Sequence, residues 1–182
     1  NHFSIKNDHL VEINTKIIEK NENYKKIIPN NIIQTYSKNL VHIEIYKNIK
    51  KIQELNPDFN YYFITDEEGR ELIKQNFSED ILNTFDKINL GTAKGDFLRY
   101  IALYVYGGVY LDLDSTINVK LSEFIPDDKE FMFTCDNDQI IFSQWFIIIK
   151  EKHIIVKKII VFVFINIIID IIIIIYYYIF FV

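Results

Sequence analysis

The sequence predicts an α/β domain in which a mostly parallel β-sheet is flanked by helices. Between residues 28 and 155, short apolar or aromatic runs alternate with segments that repeat apolar residues at helical spacing. One of these runs ends in two acidic residues, Asp112 and Asp114. Strands that alternate with helices imply a sheet whose functional site lies at the carboxyl ends of its strands. At 182 residues the chain is long enough for one such domain.

The charge and cysteine content exclude some interpretations. The chain has 25 acidic and 20 basic residues, which gives a formal net charge of −5. Because no basic stripe is available to neutralise phosphates, we expect no nucleic-acid partner. The single cysteine, Cys135, cannot form an internal disulfide, so cysteine usage does not indicate a cellular compartment.

Five runs have the composition of strands, while the first segment of the chain does not. Residues 1–27 are polar and have no clear apolar stripe, so we expect a peripheral helix or a loose arm. The five runs are apolar, aromatic or β-branched and adjoin turn signals or polar residues. The predicted strands are residues 32–36, 59–65, 109–114, 131–134 and 140–149.

Helical segments occupy the intervals between the first three strands. Apolar residues recur at helical spacing between residues 40 and 55. We expect Asp66 to be the N-cap of the second helix, residues 78–80 to open a short third helix toward Phe85, and Thr92 to be the N-cap of a long fourth helix. The glycine pair 107–108 ends that fourth helix, because glycine readily adopts the conformation that terminates helices. The helix therefore leads directly into the strand that carries the two aspartates.

The strand at residues 109–114 is the main candidate for a functional site. Side chains alternate along a strand, so Tyr110, Asp112 and Asp114 share one face. Two carboxylates so close together repel each other unless a cation or a proton lies between them. This arrangement suits a hard divalent metal, with diphosphate oxygens completing the coordination. In isolation a solvated acidic strand end is the simpler interpretation, and the flanking sequence reverses that preference.

The helix before the glycine pair carries a second pair of charged residues. Asp96 and Arg99 lie three residues apart and therefore on one face of the helix. A pair with this spacing is most often a surface salt bridge that contributes little to stability. Here the helix leads directly into the aspartate strand, so the pair comes close to the predicted metal site. Sugar hydroxyls at such a site need both acceptors and donors, which Asp96 and Arg99 provide.

Residues 156–182 differ in composition from the rest of the chain. They are almost entirely Ile, Val, Phe and Tyr, and residues 159–182 are long enough to cross a bilayer of about 30 Å as a helix. Membrane association through this tail is therefore one interpretation. Asn166 and Asp170 count against it, because buried polar groups are costly in lipid. We favour the alternative, a low-complexity or out-of-frame tail without evolved packing.

Several ordered motifs of residues 27–155 resemble glycosyltransferase family 32, the DXD-motif sugar transferases that include Golgi α-1,6-mannosyltransferases. The family combines a helix of the type A-K-S-D-x-x-R-Y with a strand of the type Y-G-G-I-Y-L-D-x-D. This chain has A-K-G-D-F-L-R-Y at residues 93–100 and Y-G-G-V-Y-L-D-L-D at residues 106–114. Residues 28–36 are similar to the family's I-P-K-x-I-H-Q-T-W opening.

This resemblance implies a fold, a reaction and its partners. The fold is that of nucleotide-diphospho-sugar transferases of the GT-A type. The reaction moves a hexose, most plausibly mannose, with retention of the anomeric configuration and with a divalent metal, Mn²⁺ or Mg²⁺. The donor is a nucleotide sugar, GDP-mannose or a UDP-hexose, and the acceptor is a glycan or a glycolipid. The resemblance also implies a location in the Golgi or another secretory-pathway membrane.

The resemblance also implies roles for individual residues. Asp114 ligates the metal, while Asp112 contacts the metal or the ribose and sugar of the donor. Asp96 and Arg99 hold the donor sugar. The nucleotide base pocket is lined by Gln34, Thr35 and Tyr36, with Tyr36 in place of the family's tryptophan and still able to stack on a base. Tyr110 is a further donor-binding residue.

Two alternatives stay open from the sequence. The family continues beyond its H-P-I motif with a G-P motif and a late histidine that do not follow here, so the domain reads as incomplete at its C-terminus. A catalytically inactive, membrane-tethered remnant is therefore the first alternative. The second is a haloacid-dehalogenase-type phosphatase, in which Asp112 is the nucleophile and Asp114 the acid/base. Such enzymes need a later acidic pair, and residues 127–128 follow too soon.

Overall fold

The computed structural model describes residues 9–13, 26–136 and 141–166. Its strands are β1 (Leu10–Glu12), β2 (Asn31–Tyr36), β3 (Leu40–His42), β4 (Asn60–Thr65), β5 (Gly108–Leu111), β6 (Phe131–Asp136) and β7 (Ile141–Ile149). Its helices are α1 (Ile43–Leu55), α2 (Asp66–Asn76), α3 (Glu79–Lys87), α4 (Gly91–Tyr106), α5 (Leu121–Phe124) and α6, described over residues 154–166.

The main sheet has five strands in the order β4-β2-β5-β7-β6. Strands β4, β2 and β5 are parallel to one another. Strand β7 is antiparallel to both of its neighbours, so β6 runs in the same direction as β5. Four of the five described strands thus share one direction, which confirms the predicted mostly parallel sheet. The carboxyl ends of β2, β4 and β5 consequently lie along one edge.

Both faces of the sheet are covered by helices. Ile33 on β2 and Tyr110 on β5 belong to the core that includes residues of α2, α3, α4 and α6. Their neighbours Ile32, Val109 and Leu111 belong to the opposite core, which includes residues of α1 and α5. Successive strand residues therefore point to opposite faces, as the period of two requires. Burial on both faces explains why these strands are apolar runs rather than alternating ones.

The glycine pair joins α4 to β5 in a way that requires glycine. Gly107 has φ 57° and Gly108 has φ 105°, which are conformations that other residues rarely adopt. A Cβ at Gly107 would collide with the backbone of Glu151, and a Cβ at Gly108 would collide with the backbone of Asn31. This tight junction fixes the position of α4 relative to the strand that precedes the two aspartates.

The helix starts differ from two of the predicted N-caps. Thr65, not Asp66, caps α2 through a capping box in which Glu68 N donates to Thr65 Oγ1 and the Glu68 carboxylate accepts from Thr65 N. Thr65 keeps an extended conformation as the last residue of β4, so it is the residue placed to cap. Leu90 precedes α4, which puts Thr92 inside the first turn of that helix.

The described part of the first 27 residues is extended. Leu10–Glu12 forms a strand that pairs antiparallel with Leu40–His42, so this part is neither a helix nor a loose arm. The pairing also moves the start of the first helix from residue 40 to Ile43, because residues 40–42 serve as the partner strand. Residues 1–8 and 14–25 lie outside the described residues.

Helix α6 covers the start of the apolar tail. Val156 and Ile160 are buried in the core beside α4. Within residues 9–13, 26–136 and 141–166, no helix is both long enough and apolar enough to cross a bilayer. Most of the predicted membrane segment, residues 167–182, lies outside the described residues. The interpretation of the tail therefore stays a prediction.

Candidate functional site

The two aspartates lie at the sheet edge where β2 and β5 end. Strand β5 ends at Leu111, and the backbone N–H of Asp112 makes a further hydrogen bond to Trp145 O at 2.9 Å. The chain then turns, because Ser115 N donates to Asp112 O at 3.0 Å. The prediction that the strand continues through Asp114 is wrong: Asp114 is an exposed residue of this turn. Throughout, residues 112–115 are called the aspartate turn.

The side chain of Asp112 is held on one of its oxygens. Tyr110 Oη donates to Asp112 Oδ1 at 2.8 Å, and an Arg99 terminal nitrogen lies 3.3 Å from the same oxygen. The Asp112 side chain is 32% exposed. Both contacts with the described residues are made by Oδ1 and neither by Oδ2. Asp112 Oδ2 is therefore the oxygen available to an external ligand.

Arg99 connects the predicted Asp–Arg pair to the aspartate turn. Its side chain is only 9% exposed, and its guanidinium lies 2.6 Å from Asp96 Oδ1 while also reaching Asp112. It donates to Gln144 O at 2.8 Å and lies 5.0 Å from the centroid of the Tyr110 ring. A buried guanidinium is stable only with such partners. The pair predicted from the i, i+3 spacing is thus part of the site rather than a solvated surface pair.

The charge balance of the site favours a cation. Asp96, Asp112 and Asp114 bring three carboxylates against the single guanidinium of Arg99. The four side chains therefore carry a formal charge of −2 at neutral pH. A divalent cation or a cationic group on a ligand would offset this charge.

The residues present fit a metal that arrives with a phosphate ligand. Within the described ranges, no group of three or more His, Cys, Asp or Glu side chains could hold an ion by itself. Asp112 and Asp114 offer carboxylate oxygens, which are the ligands that Mn²⁺ and Mg²⁺ prefer. Such ions take about six oxygens, so water and a ligand with further oxygens, such as a phosphate, would supply the others. The donor set therefore suits Mn²⁺ or Mg²⁺ bound together with a phosphate-bearing ligand.

A cavity of about 430 Å³ opens at the aspartate turn. Its volume is typical of a small-molecule site. Tyr36, at the end of β2, is 45% exposed and forms part of the wall together with the acidic residues. The lining residues are Tyr36, Val41, His42, Ile45, Thr92, Asp112, Leu113 and Asp114. We call this space the donor cavity.

Two predicted pocket residues lie behind the donor cavity rather than in its wall. Gln34 is fully buried, and its Nε2 donates to Asp112 O at 3.2 Å. Its Oε1 accepts from Tyr61 Oη at 2.5 Å. Thr35 Oγ1 lies 3.2 Å from Tyr110 Oη. Of the three residues predicted for the base pocket, only Tyr36 lines the cavity. Gln34 instead contacts the aspartate turn, and Thr35 contacts Tyr110 on β5.

Burial sets the protonation of the two tyrosines in this network. Burial raises the pKa of Tyr110 above its ordinary value, and it raises the pKa of Tyr61 in the same way. Both phenols therefore stay protonated at physiological pH. Each can donate its hydrogen to an oxygen of the neighbouring side chain, Asp112 in one case and Gln34 in the other.

Sequence reasoning missed Tyr61 and His42. Tyr61 comes from β4, and its contact with Gln34 depends on the pairing register of two strands that are distant in sequence. His42 lines the donor cavity while its Nδ1 accepts from Glu44 N at the start of α1. A histidine directly before a helical segment is a weak capping signal, so the sequence offered only a slight indication of this position.

A second and larger cavity lies on the other side of Asp96. It has a volume of about 1160 Å³ and is lined mainly by apolar side chains of α4, β6, β7 and α6. Asp96 is 57% exposed and stands in its wall beside Gln144. Arg99 thus connects a carboxylate of each cavity, Asp96 in the larger and Asp112 in the smaller. We call the larger space the apolar cavity.

The chain is similar to known sugar transferases in sequence. It is 30% identical over 121 residues to a glycosyltransferase of Acanthamoeba polyphaga mimivirus, which covers 65% of this chain and 47% of the relative. It is 34% identical over 104 residues to a mannosyl phosphorylinositol ceramide synthase of Saccharomyces cerevisiae, covering 57% and 27%. It is 30% identical over 110 residues to an initiation-specific α-1,6-mannosyltransferase of Candida albicans, covering 57% and 29%.

The fold and the motif region match as well. The solved structure of the PaToxG glycosyltransferase superposes with a TM-score of 0.56 at 16% identity, over 73% of this chain and 58% of that one. This likeness confirms the α/β fold of the GT-A type. A family model described as "Glycosyltransferase sugar-binding region containing DXD motif" matches residues 43–132. The chain spans less than half the length of the three relatives named above. It belongs to the DXD-motif sugar transferases, glycosyltransferase family 32.

Proposed function

We propose that the protein binds a nucleotide sugar in the donor cavity and transfers its hexose to a glycan or glycolipid with retention of configuration. The observation that carries this proposal is the donor cavity itself, which brings Tyr36 to the same space as Asp112 and Asp114. An exposed aromatic ring and two carboxylates in one cavity match the two ends of a nucleoside diphosphate, a flat base and an anionic chain that binds through a cation.

The nucleotide end of the donor is held by the Tyr36 ring and the aspartate turn. The base stacks on Tyr36, while the diphosphate lies over the aspartate turn. Asp112 Oδ2 and the Asp114 carboxylate would hold Mn²⁺ or Mg²⁺, and the chemistry supplied by the ion would be charge neutralisation of the diphosphate leaving group. Tyr110 and Arg99 keep Asp112 oriented through Oδ1.

The sugar end of the donor lies beside α4. Asp96 is more than half exposed and can accept hydrogen bonds from sugar hydroxyls, while Arg99 fixes its carboxylate at 2.6 Å. In the reaction the acceptor hydroxyl forms a bond to the anomeric carbon as the bond from that carbon to the phosphate oxygen breaks. The hydroxyl proton passes to the departing phosphate oxygen. No protein base is therefore required, and the chain's own residues bind and orient.

The identity of donor and acceptor is supported by the relatives. Two of them are named for mannosyl groups, one as an initiation-specific α-1,6-mannosyltransferase and one as a mannosyl phosphorylinositol ceramide synthase. GDP-mannose is therefore the first proposed donor, and a UDP-hexose is the second. The apolar cavity beside Asp96 favours an acceptor with a hydrophobic part, as in a glycolipid. A Golgi or other secretory-pathway membrane is the proposed location.

Calorimetric titration of the 182-residue chain with GDP-mannose and UDP-glucose tests the proposal. We expect saturable binding of one donor with Mn²⁺ and none with EDTA. Asp114→Asn should abolish the metal-dependent part, because it removes one of the two carboxylate ligands. The matched control is Asp58→Asn, an exposed aspartate in the turn that precedes β4, at the opposite end of that strand. Equal binding by wild type and Asp114→Asn would sink the proposal.

Donor hydrolysis and transfer distinguish an active transferase from a remnant. If the chain binds a donor with Mn²⁺, release of free mannose measured by chromatography reports turnover. Metal-dependent binding without hydrolysis or transfer to a glycolipid would support the interpretation of an inactive remnant. Family membership favours the active transferase and the inactive remnant over the phosphatase alternative. Release of phosphate from p-nitrophenyl phosphate tests that alternative.

A further inference from the structure

The backbone of the aspartate turn is contacted by a buried side chain from β2. Gln34 Nε2 donates to Asp112 O at 3.2 Å, and Gln34 itself is fully buried. The same carbonyl oxygen accepts from Ser115 N at 3.0 Å, which closes the turn. Asp112 O therefore joins the turn to the centre of the sheet. Asp112 is anchored through its backbone on one face of the sheet and through its carboxylate, by Tyr110, on the other.

Asp112 O selects the orientation of the Gln34 amide, and Tyr61 holds it. A glutamine amide can exchange its oxygen and nitrogen by rotation, and only the nitrogen can donate to a carbonyl, so Nε2 faces Asp112 O. A phenol hydroxyl can donate or accept, and Tyr61 Oη donates to Gln34 Oε1 at 2.5 Å in this orientation. In the flipped orientation Oε1 would face the carbonyl oxygen, which is repulsive.

We propose that Tyr61 and Gln34 are positioning residues that hold the aspartate turn in the conformation that presents Asp112 and Asp114 to a ligand. The hydroxyl of Tyr61 holds the Gln34 amide in place through its oxygen, and the nitrogen of this amide fixes the backbone of the turn. That the ligand is a metal-bound nucleotide sugar rests on the proposed function, whereas the positioning of the turn does not.

Amide hydrogen exchange of the metal-free, full-length chain tests the positioning directly. We expect Tyr61→Phe to speed exchange at the Ser115 amide about fivefold, because a hydrogen bond with a net contribution of about 1 kcal/mol is lost from the acceptor network. Gln34→Glu should have a larger effect. Its carboxylate can still accept from Tyr61, but it places an oxygen against Asp112 O.

The control removes the same atom from the adjacent residue. Tyr62→Phe deletes a phenol hydroxyl on β4, but Tyr62 belongs to the core on the opposite face of the sheet from Tyr61. It should leave exchange at Ser115 unchanged. Unchanged exchange in both Tyr61→Phe and Gln34→Glu overturns the proposal. An equal increase in Tyr62→Phe also overturns it, because the effect would then be a general loosening of β4.

A titration with GDP-mannose and Mn²⁺ gives a second readout. If the wild type binds, Tyr61→Phe should weaken the apparent affinity for Mn²⁺ about five- to tenfold, while Tyr62→Phe should match the wild type. If the wild type does not bind but Ser115 exchange still separates the two variants, the proposed function fails and the positioning stands. Equal metal affinity in wild type, Tyr61→Phe and Gln34→Glu would show that these residues do not position the carboxylates.

Discussion

Two cavities border α4, and they are built in different ways. The donor cavity has acidic residues whose orientation is set by directional hydrogen bonds from Tyr110 and Gln34. The apolar cavity is bounded by side chains such as Phe97 and Phe162, which pack without directional contacts. Between the two cavities lies Arg99, which contacts a carboxylate of each. The structure therefore specifies the arrangement of charged groups in one cavity and only shape and polarity in the other.

This difference predicts how substitutions should act in the two regions. Around the donor cavity a lost partner leaves a buried polar group unsatisfied, so the cost appears in ligand binding as well as in stability. Around the apolar cavity the cost follows the volume of the side chain that is removed. Substitutions on the two sides should thus separate ligand affinity from stability, and four experiments test this difference.

The largest effect is expected from Arg99→Met. The change removes the cation shared by Asp96 and Asp112, and we expect a loss of about 3 kcal/mol in the free energy of unfolding, because both carboxylates keep some access to water. Donor binding should disappear. Urea unfolding and calorimetry measure the two quantities. The control is Arg70→Met, whose guanidinium pairs with Asp86 at the surface, where an ion pair contributes little to stability.

Arg99→Met would contradict the comparison if it behaved like its control. A stability within about 0.5 kcal/mol of the wild type, with donor affinity retained, would mean that Arg99 is an ordinary surface residue. The buried environment of Arg99 in the structure argues against that outcome.

The next effect is expected on the apolar side, from Ile160→Ala. Ile160 is buried between α6 and the core beside α4, so its truncation should lower the free energy of unfolding by about 2 kcal/mol. Donor affinity should stay within about twofold of the wild type, because no polar contact of the aspartate turn depends on this residue. Ile165→Ala is the control, since Ile165 is exposed on the same helix. A loss of donor affinity in Ile160→Ala would show that the core beside α4 is coupled to the donor cavity.

Much of the fold could be predicted from the sequence because it depends on local patterns. The alternation of strands and helices follows from apolar periodicity, and the Asp96–Arg99 pair follows from helical spacing. The capping box at Thr65 was also readable, since Glu68 follows three residues later. Asp66 has a side chain that is common at N-caps, but Thr65 is the extended last residue of β4 and therefore occupies the N-cap position.

The rest of the site depends on strand pairing, which local patterns do not specify. Strand β5 ends at Leu111, which pairs with Phe146 of the antiparallel strand β7. One further hydrogen bond joins the two segments, from Asp112 N to Trp145 O. Gln34 meets Tyr61 only because β2 and β4 pair in one particular register. A shift by one residue would turn the opposite set of side chains toward the site. These contacts therefore could not be predicted from the sequence and were found only in the structure.

A smaller effect is expected from Tyr110→Phe. The variant keeps the buried ring under Arg99 but removes the hydroxyl that bonds Asp112 and Thr35, so we expect a loss of about 1 kcal/mol in stability. Donor affinity should fall about tenfold, because the Asp112 carboxylate is less well fixed. Tyr100→Phe removes the same atom from a residue that lines the apolar cavity, and it should bind the donor like the wild type. Equal losses in the two variants would remove the distinction between the cavities.

The smallest effect concerns alkaline titration rather than stability at neutral pH. Burial raises the pKa of Tyr110 above its ordinary value of 10.0, so folding favours the neutral phenol. The stability that this provides is fully present below pH 10 and is lost only as the pH rises through the higher pKa of the folded state. In the folded protein, Tyr110→Phe should therefore leave tyrosinate absorbance at 295 nm unchanged near pH 10. In urea the same substitution should remove the titration of one tyrosine at that pH. A missing equivalent in the folded protein would show that the hydroxyl ionises there, and a hydroxyl that ionises at pH 10 is not the buried donor that orients Asp112.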